Sequence, residues 1–402
     1  MWRDRKLLTL LGTGSLIVMT GAVMAPILPQ MVQQLDLDQA LAGYLVSTHY
    51  LTVVIFSPLL GILADRTGKV RVLVISLLLY AIFGAAGGVM HGFVPILVTR
   101  GLVGAASGGI AAPSLGLLVR RYESEEARSQ AIAYVASALT LANIVYPLLA
   151  GLIGGWHWRW AFGLYGLGIP LALIVTLNFK QSDFDKRSPQ VELTELGKDS
   201  QKLKTLIQNP RLLQLYGTQC LTAAIAYGTI IYLPLYLKAT VNADTFLIGI
   251  ILASQAVGAA TVSAFGVRLL VKRFSLVGTT SLGFGLMALT LMAIPQLQHL
   301  SSLFFVVILF GVGLGLVMPS LYNLVSKVAA PGLQSSVLAV GVGVNFLGQF
   351  LSPSLFSLVL NLKGLPGVFY LAASLALTLG LLLMVFSANN IQNLIRHLHK
   401  RL

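Results

Sequence analysis

The sequence predicts an all-α polytopic membrane protein with twelve transmembrane helices, and three observations carry that prediction. Of its 402 residues 56% are hydrophobic and only 10% charged, with a mean hydropathy of +0.84, where a water-soluble globule carries about 25% charge. The apolar residues gather into runs long enough to cross roughly 30 Å of hydrocarbon. The cations sit between alternate runs, the pattern left by retention of positive charge on the cytoplasmic side.

The first run, 7–31, follows Arg3, Arg5 and Lys6 as a signal peptide would, but it outlasts an h-region and offers no small-residue cleavage site, so it reads as span 1. Further spans follow at 42–64, 72–91, 93–119, 130–154, 160–179, 211–237, 246–267, 276–295, 302–325, 336–360 and 365–387. When loops are assigned alternately, all but four of the 27 Lys and Arg residues fall on one side; the exceptions are Arg159, Lys238, Lys363 and Arg100, the last inside a span. Both termini are therefore expected in the cytoplasm, with the chain embedded in a plasma or inner membrane. The net charge of +14 is scattered in short clusters rather than along a stripe, which argues against a nucleic-acid partner. The single cysteine, Cys220, cannot form an intrachain disulfide.

The polar stretch at 181–209 falls halfway along the chain and reads as a cytoplasmic linker between two six-helix bundles, 1–180 and 210–388. The halves echo each other: Pro113 and Pro319, each followed by Ser-Leu, lie 206 residues apart, as do Pro147 and Pro353. Phe162 and Phe369 are 207 apart, and Pro29 and Pro234 are 205 apart. The stretch WHWRWAF reads as an aromatic belt at a membrane interface, with His91 and His157 also at span ends. At 389–402 a tail carries Ile391, Leu394, Ile395, Leu398 and Leu402 at helical spacing among cations, so it reads as a basic amphipathic segment on the inner leaflet.

Between spans 2 and 3 stands GILADRTGKVR, four charges within seven residues of a chain that is otherwise nearly uncharged there. It resembles the loop signature of the major facilitator superfamily at Gly61, Leu63, Ala64, Asp65, Arg66, Gly68, Lys69 and Leu73, and departs from it at Val70 and Arg71. Its second-half counterpart at 268–275 keeps Arg273 but has Lys272 where the acid would stand. The resemblance covers the chain in architecture and implies two pseudo-symmetric bundles with a substrate site between them. It also implies that Gly61, Asp65, Arg66, Gly68, Lys69 and Arg71 act as a cytoplasmic latch, Asp65 facing the start of span 11. Glu123, just after span 4, is the candidate partner for the loop's cations. Retention of positive charge explains those cations equally well, but not Asp65 or the spaced glycines.

Arg100, Gly104 and Gly108 resemble the span-4 motif of proton-coupled family members. An intramembrane charge costs about 2.5–3.5 kcal/mol on insertion scales, so Arg100 must be compensated, whether in a coupling role, by helix carbonyls or by snorkelling outward. Pro147 and Gly151 in span 5 partly match the Gly-Pro-x-x-Gly-Gly pattern of drug:proton antiporters, whose kinked helix packs on span 8; Ala150 and Tyr146 depart from it. None of the thirteen acids lies within an expected span, leaving His49, with Asp36 and Asp38 at the outer end of span 2, as the remaining candidates for a proton carrier. Polar residues interrupting the spans mark the substrate cavity: Asn143, Tyr146, Gln219, Tyr227, Gln255, Asn323, Asn345 and Gln349. With so little charge among them, a neutral or weakly charged amphipathic substrate fits better than a sugar or a dication.

Together these readings describe a monomeric secondary transporter that exchanges small amphipathic molecules for protons by alternating access, in the direction of efflux, and contacts membrane lipid. The rival within transport is a proton-independent facilitator or importer of a metabolite; the remote rival is a membrane-embedded enzyme, for which no catalytic cluster stands out. No cofactor motif, Walker loop or metal-ligand spacing is present in the sequence.

Overall fold

Within hydrocarbon every backbone N–H and C=O needs an internal partner, so an apolar chain of this kind becomes helix wherever it crosses. The computed structural model describes residues 4–122, 124–179, 209–329 and 333–399, apart from the side chains of residues 125, 335 and 386–399. Helices and short connections account for the described residues, with no strand among them. The expected linker other than residue 209, Glu123, and the side chains of the expected amphipathic tail all lie outside the described residues.

In chain order the helices are α1 (Arg5–Ala22), α2 (Met24–Gln34), α3 (Gln39–Thr67), α4 (Lys69–Ala86), α5 (Phe93–Arg121), α6 (Glu125–Gly154), α7 (Trp158–Ala161) and α8 (Gly168–Asn178), followed by α9 (Pro210–Val241), α10 (Thr245–Thr261), α11 (Val267–Ala293), α12 (Leu300–Val328) and α13 (Gln334–His399). Span 1 is thus split at Val23 into α1 and α2, and span 6 tightens into a 3-10 segment at Phe162–Leu167 between α7 and α8. Side chains start several helices by accepting N–H groups that have no partner in the first turn: Asp4 accepts from Lys6 and Leu7, Asp38 from Ala40, Ser124 from Ala127 and Asp244 from Leu247.

Ten helical stretches among the described residues are long and apolar enough to cross a membrane. Two of them, Thr245–Gln296 with 52 residues and Ser336–Val385 with 50, exceed by far the roughly 20 residues of one crossing. Each contains a residue off the helical path, Ser275 (φ 65°, ψ 170°) and Gly364 (φ 64°, ψ −169°). Val262 and Gly283 lie on opposite sides of Ser275, yet the first faces Gly315 and the second faces Leu316 and Val317 on α12. The chain therefore doubles back at Ser275, and two such double crossings fit the expected twelve.

Contacts divide the chain into two compact units: Met1–Lys202 with Ile230–Ala253 and Gln349–Pro353, and Leu203–Thr229 with Ser254–Gly348 and Ser354–Leu402. In the first unit the later segments are held by close contacts. Gln30 donates to Thr245 at 2.6 Å, and Gly43 lies against Pro353 and Ile231. The outward faces of both units carry large apolar side chains, such as Ile82, Leu173, Leu289 and Leu358, the inverse of a soluble surface and suited to lipid.

The tryptophan belt needs correction. Trp156 and Trp160 are 82% and 66% exposed, but Trp158 is fully buried and donates its indole N–H to Gln34 at 2.8 Å. Trp156 lies in the turn before α7, and within α7 positions 158 and 160 stand on opposite faces, so position 158 belongs to the core while Trp160 points outward.

Candidate functional site

The first unit is organised around α5. Arg100, Gly104 and Gly108 recur every four residues and share one helix face, which meets α3 at backbone distance. A Cβ on Gly104 would coincide with the His49 carbonyl and Thr52 Oγ1, and one on Gly108 would lie 2.8 Å from the Ser57 amide nitrogen. Only glycine permits that approach.

The approach buries Arg100 completely. Its Nε donates to the Leu45 carbonyl at 3.2 Å, one Nη to the Tyr165 hydroxyl at 2.7 Å and the other to the Thr20 carbonyl. Tyr165 itself donates to Thr20 O at 2.9 Å, and its ring faces the guanidinium at 5.4 Å. The network extends through Thr20 Oγ1 to Tyr80 and to Ser107 Oγ, and Tyr80 donates to Leu16 O at 2.7 Å. No carboxylate pairs with Arg100 among the described residues, so backbone carbonyls, hydroxyls and a π face supply its compensation. Chemically this is a fixed cation in a dry site, tying α1, α3 and α5 to the tyrosine of the 3-10 segment.

His49 lies one turn beyond Leu45 on α3. It is buried, packs its ring on Tyr50 at 3.9 Å between centroids, and neither ring nitrogen makes a hydrogen bond of good geometry; the Val46 carbonyl is the neighbouring backbone acceptor. The other two coupling candidates stand apart from this pair. Asp36 is exposed at a left-handed position (φ 49°) between α2 and α3, and Asp38 spends its carboxylate on the α3 cap.

The 61–71 loop is built as two helix ends joined at one glycine. α3 runs through Thr67, so Asp65 is helical and pairs with Lys69 across one turn, while Gly68 reverses the chain at φ 105°, a conformation that favours glycine. Gly61 faces Ala112 of α5, and the stem of Lys69 lies over Gly116 of the same helix. Arg66 and Arg71 are exposed. At the same end of the unit Asp4 pairs with Arg121 at 2.8 Å and receives the Tyr122 hydroxyl at 3.3 Å. Burial alone would raise the Asp4 pKa, but the Arg121 guanidinium and the Lys6 and Leu7 amides outweigh it and hold the carboxyl below its usual value. Burial and the neighbouring Asp4 carboxylate push Tyr122 up.

Pro147 and Gly151 do bring α6 against α10. A Cβ on Gly249 would sit 2.5 Å from Pro147 O, and one on Gly151 would sit 2.8 Å from the Thr245 carbonyl oxygen. Of the cavity candidates in this unit, Tyr146 is nearly buried and shares a 2.8 Å hydrogen bond with Ser15, whereas Asn143 is exposed and bonds its own helix at Leu139 O. Gln349, on α13, belongs to the same unit.

In the second unit Gln219 is fully buried against Gly341, with neither amide atom hydrogen-bonded in good geometry. Gln255, also buried, leaves its Oε1 unmatched. Asn345 is buried beside Met318, Asn323 is exposed and bonds Pro319 O, and Tyr227 is buried. Sequence reasoning missed the partners of Arg100, namely Leu45 O, Thr20 O and the Tyr165 hydroxyl, and the Tyr80 and Ser107 hydroxyls that extend the network from Thr20. All of these are ordinary span residues, and the only available signal was that a buried guanidinium demands acceptors somewhere. Among the described residues no group of His, Cys, Asp or Glu could hold a metal ion.

Comparison with known proteins follows this architecture. Quinolone resistance protein NorA of Staphylococcus aureus strain MRSA252 is 26% identical over 362 residues, covering 85% of this chain and 87% of that protein. Multidrug resistance protein 1 of Bacillus subtilis strain 168 is 25% identical over 171 residues, 42% of this chain and 44% of that one. Among solved structures, a bacterial homologue of the human lysosomal transporter Spinster, crystallised inward-facing and unoccupied, superposes with a TM-score of 0.79 at 16% identity, covering 96% of each chain. A variant of the nucleoside transporter NupG gives 0.78 at 16% identity, over 95% of this chain and 99% of that one. The sequence model described as Major Facilitator Superfamily matches residues 10–353, so this chain belongs to the Major Facilitator Superfamily of transporters.

Proposed function

We propose that this transporter exports small amphipathic molecules in exchange for protons, its halves, 1–180 and 210–388, rocking about a central substrate site with both termini in the cytoplasm. The observation that carries the reading is the match along 85% of the chain to a protein named for quinolone resistance. The sparse charge of the candidate lining points the same way: Asn143, Tyr146, Gln219, Tyr227, Gln255, Asn323, Asn345 and Gln349 offer amides and phenols but no ion, which suits a neutral or weakly charged apolar substrate. The 61–71 loop serves as the cytoplasmic latch, and Arg100 with His49 forms the coupling core.

A second reading rests on a specific observation. The described carboxylates sit at helix ends or in connections rather than within the bundle, and exchange for one proton needs a carrier. If His49 does not serve, the protein works as a proton-independent facilitator. One measurement separates the two: proteoliposomes containing the full chain and a pH-sensitive dye, challenged with a fluoroquinolone and, separately, with a sugar. Antiport predicts proton movement opposite to the drug, none with the sugar, and loss of the proton signal in His49→Gln. Drug flux without proton flux in the wild type overturns coupling and leaves the facilitator.

A further inference from the structure

At the end of the first unit that carries the Gly68 turn, a groove of about 550 Å³ opens along α4, lined by Val70, Arg71, Val74, Ile75, Thr176 and Phe179. The four α4 residues lie one turn apart in two rows, a single face of that helix; Thr176 and Phe179 come from the last turn of α8 and the residue after it. Val70 and Phe179 are buried and form its apolar floor, while Ile75 is exposed along its length. Thr176 donates its hydroxyl to Ala172 O and so presents only lone pairs.

The cations distinguish this groove from ordinary lipid-facing surface. Lys69, two residues before Arg71, is neutralised by Asp65, and Arg121 by Asp4. Arg71 has no ionic or hydrogen-bonding partner among the described residues and stands in the first turn of α4, where backbone N–H groups also lack acceptors. A second cation, Lys6, places its Nζ 5.6 Å from the centre of the Phe179 ring. The groove walls contain no acid. An apolar trough that begins at an uncompensated guanidinium, at a depth where spans meet water, matches one kind of molecule: an acyl chain attached to an anionic headgroup. Basic pockets of this kind between transmembrane helices select anionic lipids.

We propose that this groove is a binding site for one anionic phospholipid, its phosphate held by Arg71 with Lys6 nearby and one acyl chain lying over Val70, Val74, Ile75 and Phe179. The trough has the apolar character to take a chain by van der Waals packing, and Arg71 supplies headgroup selectivity.

The test uses the purified full-length protein, stripped of lipid in detergent and titrated separately with phosphatidylglycerol and phosphatidylcholine, bound lipid being counted by native mass spectrometry. One phosphatidylglycerol should bind with at least about fivefold preference, the ratio expected from one surface cation's attraction for an anionic headgroup. Arg71→Gln should abolish the preference while keeping chain binding. Val74→Trp should block both lipids, and Arg268→Gln should change nothing. Equal binding of the two lipids by the wild type, or an unchanged preference in Arg71→Gln, overturns the proposal. So does a wild type that takes up lipid only after protease cleavage within 180–208, which would make that segment the occupant.

Discussion

α5 and α12 occupy equivalent places in the two halves of the sequence, and the difference between them shows what was duplicated and what was not. Both are 29 residues long, with a proline followed by Ser-Leu at positions 206 apart. Both use glycines to reach a neighbour's backbone: Gly104 and Gly108 meet α3, while Gly311 and Gly315 meet the Gln255 and Ala259 carbonyls of α10. At the same offset, however, Arg100 corresponds to Val306. The packing device is shared by both halves; the buried charge belongs to one. Packing is needed wherever two helices must touch, whereas a buried cation needs its own set of acceptors, and only the first unit supplies Thr20 O, Leu45 O and Tyr165.

The largest expected effect tests the shared part. Gly104→Val and Gly311→Val both drive side-chain carbon into a carbonyl, so each should cost at least about 3 kcal/mol, seen as lost monodisperse protein on size exclusion or a collapse of the thermal transition. If one is tolerated, the two helices do not pack by the same device.

Next comes the part that differs. Arg100→Lys keeps the charge but cannot reproduce a planar fork that reaches three acceptors; transport should fall more than about tenfold, the loss of one charge-assisted hydrogen bond of roughly 1.5–3 kcal/mol. Val306→Ala should leave transport within about twofold, since a single partly packed methyl pair is worth near 1 kcal/mol and acts on stability. Equal losses in the two variants would remove any special role for the charge.

The smallest effect concerns the paired turns after span 2 and span 8. Gly68 turns the chain at φ 105°, whereas Ser275, 207 residues later, adopts φ 65° and ψ 170° and accepts the Gly278 amide on its hydroxyl. The first is free for glycine; the second lies in a region that costs other residues about 1–3 kcal/mol. Gly68→Ala should therefore destabilise the fold by roughly 1–2 kcal/mol, seen as a lowered thermal midpoint. Ser275→Gly should raise it, because strain relief exceeds the few tenths of a kcal/mol lost with the cap. A lowered midpoint in Ser275→Gly would mean that the hydroxyl matters more than the backbone.

Much of the architecture was legible because lipid simplifies the code. Hydropathy alone placed the crossings, since an apolar run in hydrocarbon has no alternative to helix; the boundaries moved by a few residues where caps such as Asp38 and Ser124 set the start. Gly104, Gly108 and Gly151 were legible as packing residues because small side chains at fixed spacing serve close approach. Their partners were not. That Gly151 meets α10 at Thr245 and Gly249, or that Trp158 turns inward to Gln34, depends on which face each helix presents to the others. The cavity candidates show the same limit: Tyr146 turned out to be bonded to Ser15, while Gln219 is buried against Gly341 with Tyr322 as its polar neighbour, and both had looked alike as polar interruptions of a span.

The sequence by itself determined that this chain spans a membrane, where its helices run, and that Arg100 must be compensated, because transfer free energies act on each residue whatever surrounds it. Only the tertiary structure decided how: that, among the described residues, carbonyls and a tyrosine rather than an acid hold Arg100, that Asp65 answers to Lys69, and that Arg71 has no partner there beside an apolar groove. The Arg100 contacts join helices far apart in the chain, and the groove beside Arg71 is formed by α4 and the end of α8, both settled by packing geometry.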